Sequence, residues 1–269
     1  MAEGDARSGN LVAKAYDAPS VFRPENLLRE ARRQRGLPDE PVPAVCVLDP
    51  DGDIVRSLRS SGRSRRAAGW ACYHTDMDVT EQAGITLGIV GLAVGAPFAV
   101  LVAEQLFASG CRLLISVTSA GQIAPVGPPP YFVLIDRALR DEGTSQHYLP
   151  PAPFADADAT LAERAWQALG ALRVPVHRGT AWTTDAPYRE TEPAIAAAHA
   201  QGALAVEMEA AALYAFAQAC GRDVLCFAHV TNQMAVVEGD FEKGEADGAR
   251  DSLDVIAAAA RGLGFAVEG

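Results

Sequence analysis

The sequence predicts an α/β fold in three layers, a central mixed β-sheet flanked by helices on both faces. Three observations predict it. Short apolar runs of strand length recur along the chain, at Ala44-Val45-Cys46-Val47-Leu48 and at residues 85–90, 113–117 and 224–230. Runs of about four to eight apolar residues bounded by turn residues read as strands buried on both faces. Stretches rich in alanine and leucine at helical spacing lie between them, and such alternation folds as packed layers. Glycine or small polar residues close the strands, as in Gly91, Thr118-Ser119-Ala120-Gly121 and Thr231-Asn232. That is the end at which open α/β sheets bind their ligands.

Each element follows in order. The first ~20 residues lack periodicity and read as a loose arm. Pro24 opens a helix at its first position and Gly36 closes it. Pro38, Pro41 and Pro43 mark a linker, so residues 1–43 form an N-terminal extension with one helix and 44–269 a single domain. Asp49-Pro50-Asp51-Gly52-Asp53 follows the first strand. It is no calcium loop, because its glycine comes too early and Ser60 stands where a closing glutamate belongs. Residues 56–66 carry Arg56, Arg59, Arg63, Arg65 and Arg66 and read as a solvated loop, with an anion site as the alternative.

Strand 85–90 turns through Gly91 and Gly95 into a helix opened by Pro97 and stopped by Gly110. Strand 113–117 comes next, so a parallel pairing with a right-handed crossover is expected. The glycines lack dinucleotide-binding spacing. A strand at 131–135, a helix at 159–169 and a strand around 174–179 precede the loop 182–189, which is polar and aromatic and reads as a binding loop or a surface turn. A helix at 192–200 leads into the strand 203–206 and a further helix. The strand 224–230, an acidic glycine-rich loop at 238–248 and a helix at 253–261 capped by Asp251-Ser252 complete the chain.

The formal net charge of −11 argues against nucleic acid or an anionic membrane as the main partner. Five cysteines, odd in number and never in a C-x-x-C pair, read as reduced thiols of a cytoplasmic protein. No apolar run approaches the ~18–20 residues of a membrane span, and no signal region opens the chain. The five histidines lack metal-ligand spacing, so neither metal nor cofactor is expected.

The most informative stretch is Val206-Glu207-Met208-Glu209-Ala210-Ala211-Ala212-Leu213-Tyr214. Two carboxylates flank one methionine where strand pattern gives way to helix. As plain helix-start charges they would be favoured by the helix dipole. The following helix is apolar enough to be buried, however, and buried carboxylates need partners. A vicinal sugar diol is one such partner, since one carboxylate accepts from two hydroxyls.

This stretch resembles the ribose-binding sequence of the nucleoside phosphorylase superfamily, which includes purine nucleoside phosphorylases, uridine phosphorylases and methylthioadenosine-type nucleosidases. Ala93-Val94-Gly95-Ala96-Pro97, followed by Ala103-Glu104-Gln105-Leu106, resembles the family's glycine-rich turn and helix. Residues 115–122 resemble the strand and loop under its phosphate and ribose site, and 182–185 and 230–232 fall in family order. The resemblance covers about residues 44–263 and implies cleavage of a nucleoside N-glycosidic bond. Glu209 would hold the ribose 2′- and 3′-hydroxyls, with Met208 against the sugar and Glu207 supporting. Trp182 would stack on the base, with core packing as the alternative, and Asn232 and Gly121 would face the base. Gly95, Ser116 and Ser119 would form the phosphate or water site. A small-molecule nucleoside, a homo-oligomer (dimer-based hexamer or trimer) and phosphate as a possible co-substrate are implied as partners.

Two departures matter. The family's Gly-Asp-Pro-x-Arg loop is here Leu48-Asp49-Pro50-Asp51-Gly52, and Ser116 replaces an arginine inside the next strand. Both guanidinium groups that grip phosphate are therefore missing from their places. The resemblance implies transfer to phosphate, and these departures add hydrolysis by water and nucleoside sensing without turnover as alternatives. Asn232 stands where many members carry an aspartate that protonates the base. An amide cannot deliver that proton, which disfavours adenosine and suits a 6-oxopurine or a pyrimidine.

Overall fold

The computed structural model of the chain describes residues 14–234 and 238–265. Among the described residues the strands are β1 (Val45–Asp49), β2 (Arg65–Arg66), β3 (Asp78–Gln82), β4 (Ile85–Gly91), β5 (Leu113–Gln122), β6 (Tyr131–Asp141), β7 (Phe154–Asp156), β8 (Val176–Thr184), β9 (Ala203–Glu207) and β10 (Asp223–Asn232). The helices are α1 (Pro24–Arg35), α2 (Asp53–Ser60), α3 (Ala96–Ala108), α4 (Ala159–Leu169), α5 (Glu192–Ala200), α6 (Ala210–Cys220) and α7 (Ala249–Gly262).

The strands form one mixed sheet in the order β10-β6-β8-β9-β5-β1-β4-β3-β2, with β7 beside β6. β10 also pairs with β5, so β5, β10, β6, β8 and β9 close a ring from which β1, β4, β3 and β2 extend as an open wing. β4 and β5 are parallel as their crossover requires, yet they do not touch each other. β1 lies between them, Leu48 opposite Val90 on one side and Ser116 on the other.

Alternation along β1 explains the layers. Cys46 and Leu48 join the apolar cluster built with α3 and α6. Val45 and Val47 point the opposite way, into the cluster built with α2, α4 and α7. A strand facing helices on both sides has no solvent face, and so its sequence reads as one apolar run.

α1 matches its expected limits. Gly36 ends it in the left-handed conformation at φ 63°, and Leu28 and Ala31 pack it near Ala71 and Ala108. α7 begins earlier than expected, because Gly248 rather than Asp251-Ser252 sits at its N-cap, at φ 77°. A Cβ on Gly248 would lie 2.6 Å from the Lys243 carbonyl oxygen, so only glycine fits. The basic segment is not a free loop. α2 runs through Ser60, Arg59 pairs with Asp78 at 2.6 Å, Arg66 pairs with Asp76, and Arg63 donates to Gln82 at 2.9 Å. The acidic strand β3 and its approach absorb these charges. Cys220 is exposed, the other four cysteines are buried, and none is disulfide-bonded. No helix of the described residues is long and apolar enough to cross a membrane.

Candidate active site

The carboxyl ends of β1, β4, β5, β8, β9 and β10 converge, and the carboxylates around them divide the work. Glu207 is the last residue of β9. Its Oε1 accepts from the Thr183 hydroxyl and its Oε2 from the N–H groups of Glu209 and Ala210, both at 2.8 Å. Thr183 Oγ1 in turn accepts from Ala211 N at 3.0 Å. The first donors of α6, which a helix leaves unpaired, are thus taken up by one strand-end carboxylate and one hydroxyl. Three internal donors make Glu207 a positioning group for the turn that carries Glu209.

Glu209 follows, at the N-cap of α6 and 1% exposed. Gly95 N donates to its Oε1 at 2.7 Å, while its Oε2 is buried with no partner. Gly95 sits at φ 88°, and a Cβ there would meet nothing within 4 Å. The glycine is thus needed for the backbone conformation that aims the N–H, not for space. Burial, then the neighbouring Glu207 charge, push the Glu209 carboxyl up to about 8, opposed by the Gly95 N–H and the Thr118 hydroxyl. Burial raises Glu207 to about 7. With three donors on it, Glu207 is the member of the pair that ionises first. Met208, half-buried, lies between them.

The second half of the site lies at the end of β1. Asp51 accepts from Ser119 N and from Ser119 Oγ, each at 2.7 Å. Two convergent donors at a strand end are a small anion seat, and here a carboxylate of the chain itself occupies it. Asp49 accepts from Val55 N at 2.9 Å, and burial, with Asp51 and Asp53 nearby, raises it to about 7. Arg56 bonds the Asp53 carboxylate and the Asp51 carbonyl, and Lys243 reaches Asp53 at 2.6 Å. Ser116 does not reach this seat. It is buried inside β5, two residues before Thr118, with its Oγ unpaired, and a side chain so short cannot span the distance an arginine would.

Gly121 and Asn232 come together at the far side. A Cβ on Gly121 would lie 2.5 Å from Met234 Sδ, 3.2 Å from Val206 Cγ1 and 3.5 Å from Asn232 Oδ1. Asn232 Oδ1 accepts from Met234 N at 2.9 Å, and its amide donates to Thr231 Oγ1 at 3.2 Å.

Trp182 does not offer the stacking face expected of it. Alternation along β8 sends Thr183 to Glu207 and Trp182 the other way. The indole N–H donates to Asp141 at 3.0 Å, and the ring packs with Leu139, Ala198, Ala203 and Val206. What little remains open faces a cavity of about 330 Å³ under α5, whose lining includes neither Glu207 nor Glu209. Asp51, Thr118, Thr183 and Met234 are the site residues that sequence reasoning missed. Thr183 carries a usable signal, one hydroxyl residue at a strand end out of phase with the buried Trp182.

The fold and the convergence of these groups define a protein of the phosphorylase superfamily. The chain belongs to that family, whose sequence profile matches residues 64–261. Among its relatives, a DeoD-type purine nucleoside phosphorylase of Myxococcus xanthus is 31% identical over 157 residues, covering 58% of this chain and 66% of that enzyme. A uridine phosphorylase of Thermococcus kodakarensis is 30% identical over 105 residues, covering 39% of this chain and 38% of that one. The chain thus spans less than two thirds of the length of these relatives. The crystal structure of a uridine phosphorylase from Vibrio fischeri superposes with a TM-score of 0.68 at 20% identity, covering 86% of this chain and 93% of that one. At that identity the likeness speaks for the fold.

Proposed function

We propose that this protein cleaves the N-glycosidic bond of a nucleoside, with water as the acceptor of the ribosyl group. The observation that carries the choice of acceptor is the seat of Asp51 on both donors of Ser119. A phosphate dianion would have to displace that carboxylate and then face Asp49, Asp51 and Asp53 without a strand arginine. Bidentate guanidinium is the usual grip on phosphate, and neither expected arginine is present. A water molecule carries no such penalty, and a carboxylate beside it can accept its proton as the oxygen bonds to the anomeric carbon.

Glu209 supplies the other half of the reading. Its unpartnered Oε2 suits the ribose hydroxyls, whose donation would favour the ionised carboxylate. That charge would then stabilise the cationic sugar as the bond to the base breaks. Met208 packs against the sugar in this reading, Gly121 and Asn232 face the base, and residues 1–43 stand outside the catalytic unit. The internally bonded Asn232 amide favours a base that leaves without protonation, a 6-oxopurine first. The exposed Leu92 and Val94 support a homo-oligomer.

Phosphorolysis is the second reading, favoured by the names of the relatives and by Arg56 and Lys243 beside Asp53. The two separate cleanly. Inosine, adenosine and uridine are incubated with the protein in phosphate-free buffer and again with millimolar phosphate. Release of base with free ribose in both buffers supports hydrolysis, and strict phosphate dependence with ribose 1-phosphate as product overturns it.

A further inference from the structure

A second cavity lies elsewhere. It measures about 650 Å³ and opens between the segment around α1, the outer face of α3 and the loop after β6. α1 lies outside the residues that match the family profile, and its Pro24 and Leu27 supply part of one wall. The volume falls in the range of small-molecule sites, roughly 300–1,000 Å³.

Phe22, Leu27 and Leu101 give an apolar wall, and Glu104, Gln105, Asp185 and His147 give a polar one. His147 Nδ1 is already held by Lys14 Nζ at 2.9 Å, which leaves the two carboxylates as the charged groups of the lining itself. The Glu104 carboxylate already accepts from the Tyr148 hydroxyl at 2.5 Å, and Asp185 accepts from Gly143 N at 2.9 Å. Gln105 is the telling group. It is 2% exposed, and its amide nitrogen donates to the Leu101 carbonyl at 3.1 Å. That carbonyl can only accept, which fixes the orientation of the amide. Gln105 Oε1 therefore points away from its own helix turn, buried and without a partner. A buried acceptor left unpaired is costly, and a donor entering the cavity that Gln105 lines would relieve it.

We propose that this cavity is a second small-molecule site, which takes an organic amine with an apolar or aromatic body and an ammonium or N–H donor. The body lies on Phe22, Leu27 and Leu101. The donor end reaches Gln105 with the two carboxylates beside it, and an anion of the same shape is refused. The site does not depend on the reading of the reaction given above.

The test uses the full chain and three probes of similar shape: 2-phenylethylamine, 2-phenylethanol and phenylacetate. Binding is followed by ligand-observed NMR and calorimetry. Saturable binding of the amine with a Kd of ~0.1–1 mM, at least tenfold tighter than the alcohol and with no binding of phenylacetate, is the expected result. Leu101→Trp, on a partly exposed position, narrows the cavity and should weaken the amine by about tenfold or more. Gln105→Leu replaces an unsatisfied polar group by an apolar one of similar shape, leaves the fold intact, and should also weaken it. Equal binding of all three probes, no saturation by the amine, or unchanged affinity in both folded variants overturns the proposal.

Discussion

The N–H of Gly95 and the carboxylate of Glu209 meet at 2.7 Å across 114 positions of sequence. The turn after β4 is thereby tied to the start of α6, and one Glu209 oxygen is fixed while the other has no partner among the described residues. Because its carboxyl is raised to about 8, the ligand-free protein holds it protonated at neutral pH. If ionised Glu209 is required, kcat/KM should climb with pH and level off above about 8. Glu209→Gln should remove that limb and lower turnover by ~10²–10³-fold. A flat pH profile in the parent protein would refute the assignment.

The same group sets a stability trend. A carboxyl whose folded pKa lies above its ordinary 4.5 stabilises the fold fully below 4.5, and that contribution is lost as pH rises through about 8. Melting temperature of the ligand-free protein should therefore fall between pH 5 and pH 9, and Glu209→Gln should flatten the slope. A melting temperature that rises over this window in the parent contradicts the burial argument.

Thr183 and Glu207 make a structural prediction. Thr183→Val keeps the shape but leaves Glu207 Oε1 and Ala211 N without their partner. A loss of about 1–3 kcal/mol in urea unfolding is expected. Glu207→Gln should lose turnover together with stability, because it loosens the turn that carries Glu209. Loss of turnover in Glu207→Gln at unchanged stability would instead mark Glu207 as a ligand-contacting group.

Much of this was legible in the sequence, and the misses share a cause. β1, β4, β5 and β10 announced themselves because strands buried on both faces are apolar throughout. Glu209 was found because two carboxylates beside an apolar helix demand an explanation. Ring closure by β10 onto β5 left no local trace, since pairing across more than a hundred residues is set by tertiary packing. Trp182 carries two readings in the sequence, base stacking and core packing, because an aromatic in a polar segment looks the same from either face of a strand. Only its phase against Thr183 decides which way it points. In the sequence Gly52 marks the lost arginine and Asp51 is only a nearby charge, because its bond to Ser119 is invisible there.

Asp51→Ala should empty the two donors of Ser119. Millimolar phosphate should then raise the melting temperature of the variant while leaving the parent unchanged, a stabilisation of about 1.4 kcal/mol at phosphate roughly tenfold above Kd. Equal phosphate stabilisation of parent and variant would show that Asp51 does not exclude the anion.

At the base end, Gly121→Ala and Trp182→Phe should separate. The new methyl in Gly121→Ala presses on the flexible thioether of Met234 at 2.5 Å, so stability changes little and KM for the nucleoside rises several-fold. Trp182→Phe loses the bond to Asp141, at a cost of about 1 kcal/mol, with KM unchanged. The opposite pattern would restore Trp182 to the base site.

The division of the sheet into a closed ring and an open wing has a consequence for how this chemistry can change. Glu207, Glu209, Gly121 and Asn232 are held by strands of the ring or by the turn leaving it, where every strand has at least two neighbours. Asp49, Asp51 and Asp53 hang from β1, on the wing. On the proposed reading, recognition of the nucleoside and choice of the attacking group fall to separately tolerant parts of the molecule, so the loop of the wing could be rewritten, and the acceptor exchanged, while the sugar and base keep their seat.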